Sequence, residues 1–369
     1  MKKVLFLIPS LGHGGAERVL VNLVNHMDYS KFDITVQTMF DVGIYQDKLN
    51  EKVKYKGGLK WYFPGNTFVY KLFSPKMLYK FYIKEKYDIV ISYLEGTSAR
   101  VVAGCPDGSK LVSWIHIEQI NDKYVTKVFR NMAEANLCYD KYDKIVCVSD
   151  TVKQDFENIF DVSKEPIVLY NTVEADVIKK KSIEHIDDIE YSKDEINVCS
   201  VAKLMYSKGY DRLIPICKRL IDDGFPIHLY LIGKGEEKGN LKKQVADLGI
   251  LDKVTFVGFK SNPYKYVKNA DLYVCSSRRE GFSTAVTESL IIGTPVVSTN
   301  CSGAYELLGK NNEYGIVTEN EENALYEGIK EMLSNEKGIA YYKQKAIERG
   351  KKFDAEQTVK AVEDMLWRL

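Results

Sequence analysis

Two glutamates eight residues apart open the chemistry of this chain. They lie in Arg278-Arg279-Glu280-Gly281-Phe282-Ser283-Thr284-Ala285-Val286-Thr287-Glu288, behind an apolar run ending at Cys275 and ahead of Gly293-Thr294-Pro295. Ser283 is placed to cap a helix, the following residues are mostly apolar, and Gly293 with Pro295 stops it. Glu280 then sits in the loop before the helix and Glu288 inside it. At 1.5 Å per residue, Ser283 and Glu288 are separated by about 7.5 Å. Two carboxylates so placed can bracket a diphosphate held at the helix start and accept hydrogen bonds from sugar or ribose hydroxyls. The alternative, acidity that complements the helix dipole, accounts for Glu280 and gives no reason for Glu288.

A second cluster, Val201-Ala202-Lys203-Leu204-Met205-Tyr206-Ser207-Lys208-Gly209, puts two lysines on a loop leaving another apolar run. A lysine about 4 Å from a phosphate oxygen contributes roughly 4 kcal/mol at an effective dielectric of 20, more than a helix dipole supplies. Two lysines on a loop are otherwise simply solvated. A third cluster, Gly12-His13-Gly14-Gly15-Ala16-Glu17-Arg18, lets backbone approach a phosphate. It is no dinucleotide fingerprint, because the third glycine of Gly-x-Gly-x-x-Gly falls on Glu17. Gly233-Lys234-Gly235 is equally incomplete. His116, Tyr93 and Glu95 follow apolar runs and reach the same kind of edge, or are a structural histidine and a turn. Gly258 and Phe259 end another run and either hold a base or form a plain turn. Ser149 reads as a helix cap before Val152 to Ile159.

The elements that carry these residues alternate between short apolar runs and amphipathic stretches, the pattern of parallel sheets covered by helices. Strands are predicted at Val4 to Ile8, Ile34 to Met39, Ile89 to Tyr93, Leu111 to Ile115 and Ile145 to Val148. The pattern restarts at Ile196 to Val201, Ile227 to Ile232, Val254 to Val257, Leu272 to Cys275 and Pro295 to Ser298. Ala16, Val19, Leu20, Leu23, Val24 and Met27 form one helical stripe behind the first strand. At 369 residues the chain has length for about two domains. We divide it into 1–173, a charged linker region 174–195, a second domain 196–352 and a final helical segment 353–369.

With 52 basic and 51 acidic residues the net charge is +1, which leaves no global positive field for nucleic acid. No run approaches the roughly 18 apolar residues of a membrane-spanning helix. Seven cysteines without a Cys-x-x-Cys pair read as reduced core thiols, which predicts a cytoplasmic protein. One local exception is Lys48 to Lys86, where ten lysines meet two glutamates and interleaved aromatics including Trp61, Tyr62, Phe63, Phe68, Phe73 and Phe81. This segment is either a patch for an anionic membrane surface or a solvated helix face over core aromatics.

Taken together, Pro9 to Glu17, the Lys203 and Lys208 pair, and Glu280 to Glu288 followed by Gly293-Thr294-Pro295-Val296-Val297 resemble the retaining glycosyltransferases of family 4. The resemblance spans nearly the whole chain. It implies the GT-B fold, two Rossmann-like α/β domains facing across a cleft, with the first domain binding the acceptor and the second a nucleotide-sugar. It places Glu288 on the ribose and Glu280 on the transferred sugar. Ser283, Thr284 and Gly15 fall at the phosphates, and Gly14, Gly258, Phe259, Gly281 and Phe282 line the donor site. It makes His116, Lys203, Lys208 and Glu280 the catalytic set, and Tyr93 and Glu95 acceptor residues. Lys203 stands where many members carry arginine, without the bidentate fork. By the same resemblance the final helix lies near the domain junction.

No Asp-x-Asp motif occurs, so transfer is expected to need neither metal nor cofactor. The expected reaction moves a hexosyl or N-acetylhexosaminyl group, with retention, from a nucleotide-sugar of UDP type to a glycan or lipid-linked glycan acceptor. Capsule, exopolysaccharide or other surface glycan synthesis at the inner membrane face is the expected setting. Competing readings are a non-catalytic GT-B interaction subunit and a nucleotide-sugar epimerase or hydrolase. An NAD-dependent oxidoreductase is disfavoured by the broken glycine fingerprint.

Overall fold

The computed structural model describes residues 1–12, 14–61, 66–106, 108–119, 121–334 and 336–369. His13 of the glycine cluster, and Tyr62 and Phe63 of the lysine-aromatic segment, lie outside the described residues. The chain forms two units, residues 1–173 with 355–369, and residues 174–354.

In the first unit, seven parallel strands are β1 (Lys2–Ile8), β2 (Phe32–Thr38), β3 (Lys54–Lys56), β4 (Ile89–Ser92), β5 (Lys110–Ile115), β6 (Lys144–Cys147) and β7 (Ile167–Val168). Their order is β3-β2-β1-β4-β5-β6-β7, and β1 pairs with β2 from Lys2↔Phe32 to Ile8↔Thr38. The sheet of the second unit contains β8 (Ile196–Val201), β9 (Ile227–Ile232), β10 (Val254–Gly258), β11 (Leu272–Cys275), β12 (Val296–Thr299) and β13 (Ile316–Thr318). Its order is β10-β9-β8-β11-β12-β13. Both sheets therefore reverse direction of winding beside their first strand, between β1 and β4 and between β8 and β11. In doubly wound sheets the ligand crevice lies at that reversal, off the carboxyl ends of the strands.

The central strands are buried on both faces: Val4, Leu5, Phe6, Leu7 and Ile8 have no exposed surface, which is why they read as continuous apolar runs. The helix Gly15–His26 buries Val19, Leu20, Leu23 and Val24, the stripe expected from spacing. Three strands escape the sequence pattern: β3, β7 and β13. Each is two or three residues long and each is a sheet edge.

The segment 174–195, expected as linker, carries the helix Ala175–Ser182, which packs on helices Tyr264–Asn269 and Thr284–Ile292 of the second unit. Its apolar anchor is a single buried Ile178 among lysines, so charge masked the helix. The final helix, Ala355–Arg368, belongs to the first unit. Val359, Val362 and Leu366 are buried, Lys2 Nζ donates to the carbonyl of Trp367 at 2.8 Å, and Glu363 Oε1 accepts from the backbone of Asp28 at 2.5 Å. All seven cysteines are free thiols, and all but Cys105 are buried.

Candidate functional site

In the second unit, the loops that leave β8 and β11 are the ones that flank the winding reversal. They carry Lys208 and Glu280, and the structure joins them. Lys208 Nζ donates to Glu280 Oε1 at 2.7 Å, and the hydroxyl of Ser277 donates to the same oxygen at 2.7 Å. The two side chains are 21% and 15% exposed. Burial pulls the Lys208 pKa down, but the Glu280 carboxylate more than compensates, leaving it above the ordinary lysine value. The ammonium is therefore fully charged at neutral pH.

The loop geometry is braced from several sides. Gly209 has φ +68°, and a Cβ there would stand 2.0 Å from the carbonyl oxygen of Ser276, so only glycine lets the Lys208 turn approach the β11 end. The hydroxyl of Ser276 donates to the Lys208 carbonyl at 2.8 Å. Arg278 clamps the same turn: its guanidinium grips Asp211 at 2.6 and 2.7 Å, donates to the Tyr206 carbonyl at 2.8 Å and lies 4.0 Å over the Tyr206 ring. Arg212 donates to the carbonyls of Ser276 and Ser277 and to Asn320, whose amide returns a bond to the Arg278 carbonyl. Sequence reasoning missed Arg212, Ser277 and Asn320. Arg212 and Asn320 are 108 residues apart, and bonds to main-chain carbonyls leave no motif.

Behind this network starts the helix Thr284–Ile292. Ser283 caps it, accepting from the backbone N–H of Val286 at 3.3 Å, and Gly293 closes it in the left-handed region. Thr284 is the first helical residue, so the helix N–H groups open beside Gly281 and Phe282, both buried; Phe282 lies against Gly303. Glu288 falls on the second turn, 5% exposed. Lys203 is exposed on the β8 loop, and Gly258, φ +81°, ends β10 beside the half-exposed Phe259. The Lys234 ammonium sits 5.1 Å over the Phe259 ring. Thus Lys208 and Glu280 meet directly, whereas Lys203, Gly258 and Phe259 share only the carboxyl edge of the sheet.

The first unit repeats the placement. Gly14 and Gly15 start the helix behind β1, Tyr93 and Glu95 follow β4, and His116 follows β5. Glu95 Oε2 accepts the backbone N–H of His116 at 2.8 Å. The Tyr93 ring bridges His116, at 4.9 Å, and Trp114, at 5.0 Å, with Phe6 5.9 Å away on its other side. His116 as a whole residue is of intermediate exposure, but its ring Nε2 is buried without a hydrogen-bond partner among the described residues. Burial lowers the pKa of this imidazole to about 3, so it is neutral at physiological pH.

Two doubly wound parallel sheets, each with polar groups along its carboxyl edge, are the architecture of the GT-B fold. Residues 13–177 match Glycosyltransferase Family 4 and residues 182–353 match Glycosyl transferases group 1; the chain belongs to this glycosyltransferase family. It is 29% identical over 380 residues to N-acetylgalactosamine-N,N'-diacetylbacillosaminyl-diphospho-undecaprenol 4-alpha-N-acetylgalactosaminyltransferase of Campylobacter jejuni, covering 96% of both chains. It is 33% identical over 122 residues to the lipopolysaccharide core biosynthesis glycosyltransferase LpsE of Rhizobium meliloti, a third of each chain. In fold it matches Anabaena HepE in complex with UDP and glucose, with TM-score 0.78, 19% identity and full coverage of both chains. Sucrose-phosphate synthase of Thermosynechococcus elongatus matches with TM-score 0.81 at 14% identity, covering 100% of this chain and 99% of that one.

Proposed function

We propose that the chain is a retaining, metal-independent transferase that moves a hexosyl or N-acetylhexosaminyl group from a UDP-sugar to a lipid-linked acceptor in cell-surface glycan synthesis, working at the cytoplasmic face of a membrane. The observation that carries this reading is the Lys208–Glu280–Ser277 network at the β8/β11 reversal, followed by the Ser283-capped helix. Support for the donor comes from the UDP bound to HepE, and for the acceptor from the diphospho-undecaprenol saccharide named for the Campylobacter relative.

On this reading the Glu288 carboxylate holds ribose hydroxyls, and the Thr284 end of the helix, with Gly281 and Phe282 beside it, receives the diphosphate. Gly14 and Gly15 are assigned to the phosphates, and Gly258 and Phe259 to the base. Lys208, with Lys203, balances charge as it builds on the departing diphosphate, a task that fixed cations perform without reorganisation. Glu280 orients the sugar through its hydroxyls and also fixes Lys208. The bond from C1 to the diphosphate breaks while the acceptor oxygen bonds C1 from the same face; the acceptor proton passes to the departing phosphate oxygen. His116, neutral, reaches the sugar as a hydrogen-bonding group, and Tyr93 and Glu95 line the acceptor side.

The test is a thermal-shift panel of UDP, GDP, ADP and CMP on the wild type and Glu288→Ala, followed by transfer from UDP-sugars to undecaprenyl-diphosphate saccharides with and without EDTA. Ligand at a hundred times its Kd stabilises by about 2.7 kcal/mol. Selective UDP stabilisation lost in Glu288→Ala, with EDTA-insensitive transfer giving an α-linked product from an α-linked donor, is expected. No stabilisation by any of the four nucleotides refutes the donor site, and EDTA-sensitive transfer refutes metal independence.

A further inference from the structure

Between Glu51 and Glu85 the sequence has eight lysines and no carboxylate. The structure separates this segment into committed and uncommitted groups. Lys54 pairs with Asp33 at 2.7 Å, Lys56 with Glu85 at 2.6 Å, and Lys71 donates to the Thr126 carbonyl. Tyr70, Leu78, Tyr79 and Tyr82 are buried, and the Tyr70 and Tyr82 hydroxyls share a 2.5 Å hydrogen bond. These are core and structural contacts, not a docking surface.

What remains is organised. Phe68 is 68% exposed, Leu72 66%, Met77 56% and Phe81 55%, with Phe73 also exposed. On the helix Pro75–Tyr82, Met77 and Phe81 stand one turn apart, and Phe73 lies in the bend just before the helix. Lys76 and Lys80 form the neighbouring row, and Lys84, exposed beyond the end of the helix, turns back to donate to the Lys80 carbonyl at 2.5 Å. The exposed side of this helix is thus an apolar row beside a lysine row, opposite the buried Leu78, Tyr79 and Tyr82.

The apolar row is also held in place. Arg100, fully buried, donates to the carbonyls of Tyr70 at 2.7 Å and Phe73 at 2.9 Å and pairs with Glu134 at 2.8 Å. Arg130 donates to the carbonyl of Lys71 at 2.7 Å and to that of Leu72 at 3.4 Å. Two arginines therefore hold the backbone from Tyr70 to Phe73, the end of the helix Asn66–Leu72 that carries the exposed Leu72 and Phe73.

We infer that this face, Phe68, Leu72, Phe73, Met77 and Phe81 flanked by Lys76, Lys80 and Lys84, is an interfacial anchor that seats the first unit on a bilayer bearing anionic headgroups. Apolar rings and thioether enter the headgroup boundary while the lysines meet lipid phosphates. A second copy of this face is a poor occupant, because a two-fold contact would set lysine rows against each other with no carboxylate between them. The inference specifies the membrane placement of the proposed transferase and rests on it for biological purpose, but the binding itself needs neither donor nor acceptor.

The test is flotation of the full-length protein with vesicles of phosphatidylglycerol and phosphatidylethanolamine, against vesicles of phosphatidylcholine alone. The variants are Lys76→Gln/Lys80→Gln/Lys84→Gln, Met77→Ser/Phe81→Ser, and the charge-matched control Lys238→Gln/Lys242→Gln/Lys243→Gln on the second unit. Melting temperature and the UDP thermal shift are read on each, and the oligomeric state without vesicles by sedimentation. Each lysine near the surface is worth about fivefold in partitioning, so the first triple variant is expected to lose about 100-fold on anionic vesicles. The apolar variant is expected to lose binding as well, both with unchanged UDP shift, and the control to bind like wild type. Equal binding by the lysine triple variant and the control overturns the proposal. So does absent wild-type binding, or a dimer dispersed by Met77→Ser/Phe81→Ser. A missing UDP shift with vesicle binding intact overturns the transferase reading and leaves the anchor standing.

Discussion

Replacing Lys208 by methionine separates what the Lys208–Glu280 pair does for the fold from what it does for transfer. At 2.7 Å and an effective dielectric of 20 the gross attraction is about 6 kcal/mol, most of it offset by desolvation. Lys208→Met leaves a largely buried Glu280 carboxylate with the Ser277 hydroxyl as its remaining donor, and removing one member of such a pair costs about 3 kcal/mol. For a unit of this size that is a Tm loss of roughly 6–12 °C. The double variant Lys208→Met/Glu280→Gln removes the stranded charge and should regain all but about 1 kcal/mol. Catalysis should behave oppositely. A cation about 4 Å from the departing phosphate is worth roughly 4 kcal/mol, or about a thousandfold in rate. That loss should persist or deepen in the double variant, with partial rescue by Lys208→Arg. Urea unfolding and initial rates of sugar transfer on the four proteins decide it. Recovery of activity together with stability in the double variant refutes the catalytic role, as does transfer by Lys208→Met within tenfold of wild type.

Three other outcomes follow from the geometry. His116, lowered to about 3 by burial, must stay neutral in the folded state while the unfolded state takes up a proton below about pH 6.5. Stability should therefore fall as pH drops from 7.5 to 5, by up to about 2 kcal/mol from this group, and urea unfolding of His116→Gln should show a correspondingly smaller acid loss. Gly209→Ala combines φ +68° with a 2.0 Å approach to the Ser276 carbonyl; it should cost about 3 kcal/mol and abolish transfer, whereas Gly239→Ala, whose Cβ meets open space, should be near neutral in both assays. Arg278→Ala should lower kcat about tenfold with little change in donor KM, because it braces the Lys208 turn through Asp211 and Tyr206. Arg278→Lys, unable to grip Asp211 bidentately, should recover only part of the rate.

How much of the fold and site is legible in the sequence follows from burial. Strands β1, β4 and β11 are enclosed on both faces and read as nearly unbroken apolar runs, and β8 keeps its run despite Asn197 and Ser200, so the loops after them can be placed from the pattern of residues alone. The capped helix Thr284–Ile292 announces both ends through Ser283 and Gly293. Edge strands β3, β7 and β13 are only two or three residues long, too little for a period to show. In the lysine-aromatic segment, composition alone does not tell Lys71, tied to Thr126, from Lys80, which faces outward. Helical phase and the Arg100 and Arg130 carbonyl contacts make that distinction. Arg212 and Asn320 stay hidden for the related reason that a side chain holding main-chain oxygen responds to the path of the backbone, which no local pattern records.

The placement of Ala355–Arg368 on the first unit sets an order of events during synthesis. Residues 1–173 leave the ribosome with the surface for Val359, Val362 and Leu366 uncovered, the Lys2 ammonium without the Trp367 carbonyl and the Asp28 backbone N–H without Glu363. Only after the whole second unit has been translated does the closing helix emerge. The nascent first unit must therefore wait, incomplete, for about 180 residues of chain, on the order of 10–40 s at ordinary elongation rates. A fragment cut at residue 173 reproduces that waiting state permanently, whereas joining 355–369 to it through a short tether restores the missing face.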